Sequence, residues 1–108
     1  MKHILKEKQK YLIGLGCSIL MKDFSLSSED ANKILFEAIT KELKLAERNM
    51  DSFDSVSRAE RHTFIRRVAN DIGEQLIVKF KFNKIDVSEK ISKFMIKMNE
   101  QSQLFRTR

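Results

Sequence analysis

Three segments of the chain carry apolar residues at helical spacing. After Ser27 the stripe Leu35, Ile39, Leu43, Ala46, Met50 and Phe53 advances by four, four, three, four and three, with Lys33, Glu37, Lys41, Lys44 and Arg48 along the other side. After Ser57 the stripe is Ile65, Val68, Ile72 and Leu76, and after Asp86 it is Val87, Ile91, Phe94 with Met95, then Met98. A fourth segment differs. Between Tyr11 and Met21 apolar residues fall on every face, which predicts a helix surrounded by the other three, its lysine-rich start projecting into solvent. The amphipathic segments open on caps. Ser27-Ser28-Glu29-Asp30 and Ser57-Arg58-Ala59-Glu60 place a hydroxyl three residues before a carboxylate, so the hydroxyl accepts from an orphan amide of the first turn while the carboxylate reaches back. Asp86-Val87-Ser88-Glu89 offers a similar start with Asp86 as the cap.

One stretch competes with helix: Val78, Phe80 and Phe82 alternate with Lys79 and Lys81 as they would in a strand. No second segment alternates cleanly, and a lone strand has no partner. The stretch therefore reads as the end of the third helix, closing near Asn83. Proline is absent and glycine occurs only at Gly14, Gly16 and Gly73, so turns are scarce and no linker divides the chain. Gly14 with Ser18 marks an expected close helix crossing. The expectation is an all-α, single-domain bundle of about four helices, near residues 3–22, 28–50, 58–82 and 87–103. With 42% of 108 residues hydrophobic, the apolar content supplies one core.

Charge adds a direction to this picture. Lys and Arg total 21 against 15 Asp and Glu, a net charge of +6. It is polarised along the chain: residues 1–22 carry five lysines and one glutamate, 23–60 five basic and nine acidic residues, 61–108 eleven basic and five acidic. Such a chain either neutralises itself across helix contacts or presents a basic face to an anionic partner. Several chemistries are excluded at once. Cys17 is the single cysteine, so there is no disulfide framework, and with His3 and His62 the only histidines no zinc spacing can be written. Gly14-x-Gly16 has no third glycine and no preceding strand, and Asp51 with Asp54 lacks a calcium-loop pattern. Cys17 with His62 is the single nucleophile–base pair available, and burial in the most apolar run would leave the thiol inert. No enzyme, metal or cofactor is expected. Lys2, Lys6, Lys8 and Lys10 ahead of the Tyr11–Met21 run imitate a secretory signal, but no small-x-small cleavage site follows. The run is also far short of the roughly 20 residues that span a bilayer. A soluble cytoplasmic protein is expected.

The strongest candidate chemistry lies in the third helix. Arg58, His62 and Arg66 follow at i, i+4 and i+8 with Arg61 beside them, read as opposite the face of Ile65, Val68 and Ile72. Like charges so spaced cost a few tenths of a kcal/mol per pair, so the cluster is matched by acidic residues of the second helix or meets an external anion. Guanidinium forks suit phosphate oxygens, and Lys79, Lys81 and Lys84 prolong the track. The expected function is a small regulatory or adaptor protein that binds DNA or RNA through Arg58, Arg61, His62, Arg66, Lys79 and Lys81. Ala69 and Gly73 have the spacing of a helix-turn-helix turn, which would put Gln75 and Lys79 near the start of a reading helix. Glu74 and Lys79, however, stand where that helix should turn apolar residues inward.

A second function class is a protein-binding module, in which the same charges meet an acidic protein partner. The basic third helix, Lys79-Phe80-Lys81-Phe82, and Asp86-Val87-Ser88-Glu89-Lys90 opening a helix together resemble the end of class IIa bacteriocin immunity proteins, over less than half of the chain. The resemblance implies a small, basic, cytosolic four-helix bundle that protects the producing cell by a protein–protein contact. Eight Phe and five Met exceed what one small core readily buries, which predicts a homodimer with Phe80, Phe82, Phe94, Met98 and Phe105 at its interface.

Overall fold

A computed structural model describes the backbone of residues 7–45 and 58–106 and the side chains of residues 10–45 and 59–102. The protein is an all-α four-helix bundle: α1 (Glu7–Phe24), α2 (Ser28–Leu45), α3 (Arg58–Val78) and α4 (Lys84–Arg106). No strand occurs among the described residues. Ala46, Met50 and Phe53, expected to continue the stripe that begins at Leu35, lie outside the described residues, as do Ser57, Asp51, Asp54 and His3.

The chain reverses after α1 with Ser25 in the left-handed region, φ 55°. Ser27 then caps α2 as its sequence predicts, its Oγ accepting from the Asp30 amide at 3.1 Å and its carbonyl from the Ala31 amide at 2.9 Å. α1 packs on α2 and α4, and α3 packs on the same two helices. In such a ring each helix has two neighbours and none is central. The expectation that α1 is enclosed is thereby corrected: Tyr11 and Met21 are exposed on its outer face, 47% and 39%.

The core combines predicted stripe residues of α2, α3 and α4 with Cys17, Leu20 and Phe24 of α1 and with Leu26, Ala31, Ile34, Ala38 and Ala69. Leu20, Leu35, Ile72, Leu76, Val87 and Phe94 are its largest fully buried side chains, each contributing about 1.5–3 kcal/mol relative to exposure. Close approach of α1 to this core depends on Gly16, where an added Cβ would stand 3.2 Å from Leu35 Cδ2 and 3.6 Å from the Phe94 ring. Gly73 lets α4 approach α3 in the same way, its absent Cβ lying 3.3 Å from Ile91 Cγ1. The crossing expected at Gly14 and Ser18 does not exist. Both are exposed and nothing lies within 4 Å of a Cβ built on Gly14. Two residues of helix turn the chain by more than half a revolution, so Gly14 and Gly16 face opposite ways.

α3 is unbroken through Ala69 and Gly73, both buried, so the helix-turn-helix turn is absent. The helix also stops at Val78 rather than near residue 82, and α4 starts at Lys84 rather than 87.

Candidate functional site

The arginine cluster does not form the expected outward face. Arg61 precedes Ile65 by four residues and Val68 by seven, which puts it on the apolar stripe itself, and it is 6% exposed. His62 is half-buried, Arg66 is exposed, and the side chain of Arg58 lies outside the described residues. Arg61 and Val78 are 17 residues apart on α3, about 25 Å at about 1.5 Å per residue. The structure therefore leaves the arginines near the start of α3, with Lys79 and Lys81 beyond its other end.

The expected interface is also divided. Phe94 follows Val87 and Ile91 on the inner stripe of α4 and is 1% exposed, so it belongs to the core and offers nothing to a second copy. Met98 is half-buried and lines a core cavity of about 70 Å³ with Leu12, Leu35, Phe64, Val68 and Phe94. The Phe105 side chain lies outside the described residues.

What the structure does bring together is the reversal between α3 and α4. The Lys79 amide closes the last turn of α3 on the Gln75 carbonyl at 2.7 Å. Lys81 then takes the left-handed conformation, φ 62°, and the Phe82 amide reaches back to the Leu76 carbonyl at 3.1 Å. Asn83, not Asp86, caps α4: its Oδ1 accepts from the Ile85 and Asp86 amides at 2.9 and 3.1 Å, and its carbonyl from the Val87 amide at 2.9 Å. This cap is why the helix begins three residues early. The rings of Phe80 and Phe82 stack at 6.1 Å, and Phe82 meets Phe24 at 5.8 Å. Lys90 Nζ lies 5.6 Å from the centroid of the same Phe24 ring. The aromatic residues are thus half-buried against the end of α1. Val78 and Ile85 are left pointing outward, 60% and 71% exposed, among the exposed Lys79, Lys81 and Lys84, with Asp86 following in the first turn of α4. One tip carries three exposed cations and two exposed aliphatic side chains.

A second cluster escaped the sequence reading. Glu42 is 5% exposed on α2, where it faces Asp71 of α3. Asp71 Oδ1 also meets Lys41 Nζ at 3.5 Å. A hydrogen bond with Asp71, then burial, then the charge of Asp71 push the Glu42 carboxyl above its ordinary pKa, while Arg67 and Lys41 pull it down. The signal is spacing: Ala31, Leu35, Ala38 and Glu42 advance by four, three and four along one helix face.

Cys17 is buried and its thiol donates to Asn32 Oδ1 at 2.9 Å. Burial pushes its pKa up, which keeps the thiolate fraction small at neutral pH. Among the described residues no group of three or more His, Cys, Asp or Glu could hold a metal ion, and no helix is long and apolar enough to cross a membrane. Fold and surface together define a small helical bundle with a basic, apolar-tipped reversal. No family model, curated protein or solved structure matches the chain.

Proposed function

We propose that this chain is a non-enzymatic protein-binding module whose contact surface is the α3–α4 reversal. The observation that carries this reading is the pair of exposed aliphatic side chains, Val78 and Ile85, set among Lys79, Lys81 and Lys84. Aliphatic groups neither hydrogen-bond to phosphates nor stack on bases as aromatic rings do. A nucleic acid would engage the lysines and use the aliphatic groups only by packing on a thymine methyl or wedging between base steps, which an exposed helix reversal is not shaped to do. An acidic protein surface with an apolar pocket uses everything present: burying an aliphatic side chain contributes about 1.5–3 kcal/mol, while the lysines steer the encounter and set its orientation. The division of the arginines from the lysines favours the same reading, because a phosphate track needs its cations on one path. A four-helix architecture and a net charge of +6 also agree with the resemblance to immunity proteins, which act by a protein–protein contact.

Two measurements test it. A photoreactive residue at position 85 should crosslink one discrete protein in the producing cell. That adduct should vanish when Lys79, Lys81 and Lys84 are changed to Glu and persist with Lys93→Glu on the exposed face of α4. Titration with duplex DNA and with RNA should show no binding at low salt. Nucleic-acid binding that weakens with a salt slope of about 0.7–0.9 per phosphate contacted, and that ignores Ile85→Ser, would return the regulatory reading in its place.

A further inference from the structure

Asp71 presents Oδ1 to Lys41 at 3.5 Å, while its Oδ2 is buried and meets no hydrogen-bond donor among the described residues. The group that faces it is another carboxyl, Glu42, itself 5% exposed. Two carboxylates cannot hydrogen-bond to each other, since both only accept; one proton between them supplies the missing donor. We propose that Glu42 and Asp71 form a one-proton latch between α2 and α3 that holds when Glu42 is protonated and loosens as rising pH removes that proton. In the closed state the Glu42 hydroxyl donates to Asp71 Oδ2, and the Asp71 charge is balanced by Lys41. In the open state the proton has passed to solvent, and the charge of buried Glu42 opposes that of partly buried Asp71 across the helix contact.

The charged groups acting on Glu42 are Asp71 and Arg67 from α3 and Lys41 from α2 itself, with none from α1 or α4 among the described residues. Asp71 raises the carboxyl and burial adds to it, while Arg67 and Lys41 oppose them; the raising influences prevail. The sign of the linkage follows. Glu42 titrates higher in the folded chain than in the unfolded one, so between those two values folding takes up a proton and stability falls as pH rises. Below the unfolded value the contribution is fully present, and above the folded value it has been lost. Each pH unit of that window shifts the folding equilibrium constant tenfold for a single site.

The test has two arms. In the first, the Glu42 carboxyl carbon is followed by NMR through a pH titration of the intact chain. An inflection above the ordinary glutamate value is expected, and one at or below it overturns the latch. In Asp71→Asn the inflection should move down towards the ordinary value; if it stays raised, burial alone holds the proton and the pair is refuted. In the second arm, urea midpoints of the native chain and Glu42→Gln are compared across pH. They should coincide in acid and separate as the native chain loses stability above the ordinary glutamate range, Glu42→Gln remaining the more stable at neutral pH. A gap that does not change with pH overturns the proposal. Should Glu42→Gln fail to fold, the titration of the native chain still decides.

Discussion

Replacing Gly14 by alanine should stabilise this bundle, whereas the same change two residues later should not. Gly14 lies inside α1, is exposed, and has nothing within 4 Å of an added Cβ. The methyl group therefore meets no steric cost, and the helix recovers the propensity difference of about 0.8–1.0 kcal/mol between Gly and Ala in a helix interior. With an unfolding entropy of about 2.1 cal/mol/K per residue over 108 residues, that gain raises Tm by roughly 4 °C. Gly16→Ala has the same propensity gain set against a Cβ 3.2 Å from Leu35 Cδ2 and 3.6 Å from the Phe94 ring. Leu35 and Phe94 are 2% and 1% exposed; both border the core cavity of about 70 Å³, but shifting either one to admit the methyl group disturbs packed neighbours, and overpacking of this kind costs about 1–3 kcal/mol. Thermal unfolding followed by the far-ultraviolet circular dichroism of the helices measures both variants. The reasoning is refuted if Gly14→Ala leaves Tm unchanged or lowers it, or if Gly16→Ala gains as much as Gly14→Ala.

Phe94→Ala should lose about 3–5 kcal/mol in urea denaturation, because the ring is 1% exposed beside a cavity already present; a loss under 1 kcal/mol would mean the core does not centre there. Asn83→Ala removes the acceptor of two α4 amides and should cost about 1 kcal/mol, whereas Asp86→Ala, the cap expected from sequence, should cost less. Lys81→Gly relieves a left-handed lysine at φ 62° and should stabilise by about 0.5–1 kcal/mol once the added flexibility of the unfolded chain is subtracted. If Lys81→Gly instead destabilises, the left-handed turn that shapes the tip is wrong.

Local signals determined most of the architecture. Apolar spacing along α2, α3 and α4 and the Ser27 cap are properties of a few adjacent residues, and a helix forms wherever its own turn-by-turn contacts agree with one buried face. Near-absence of glycine and proline settled helix over strand for the same local reason. The end of α3 is not legible in the sequence because Val78, Phe80 and Phe82 carry an alternation that suits either state, and the start of α4 follows the Asn83 cap. Packing of the Phe82 ring on Phe24, a residue distant in sequence, with Phe80 stacked on Phe82, goes with a turn rather than a further helical turn.

The candidate sites show the deeper division. Charge type argues that Arg61 faces water, yet its spacing, like that of Glu42, places it on an apolar stripe, and both are buried. A helix fixes which residues share a face, so that much was already written in the sequence. Which neighbour each face meets is set by packing between helices far apart in the chain. Only the tertiary structure could put Asp71 against Glu42 and leave Val78 and Ile85 in water beside three lysines, because each depends on side chains that share no local signal.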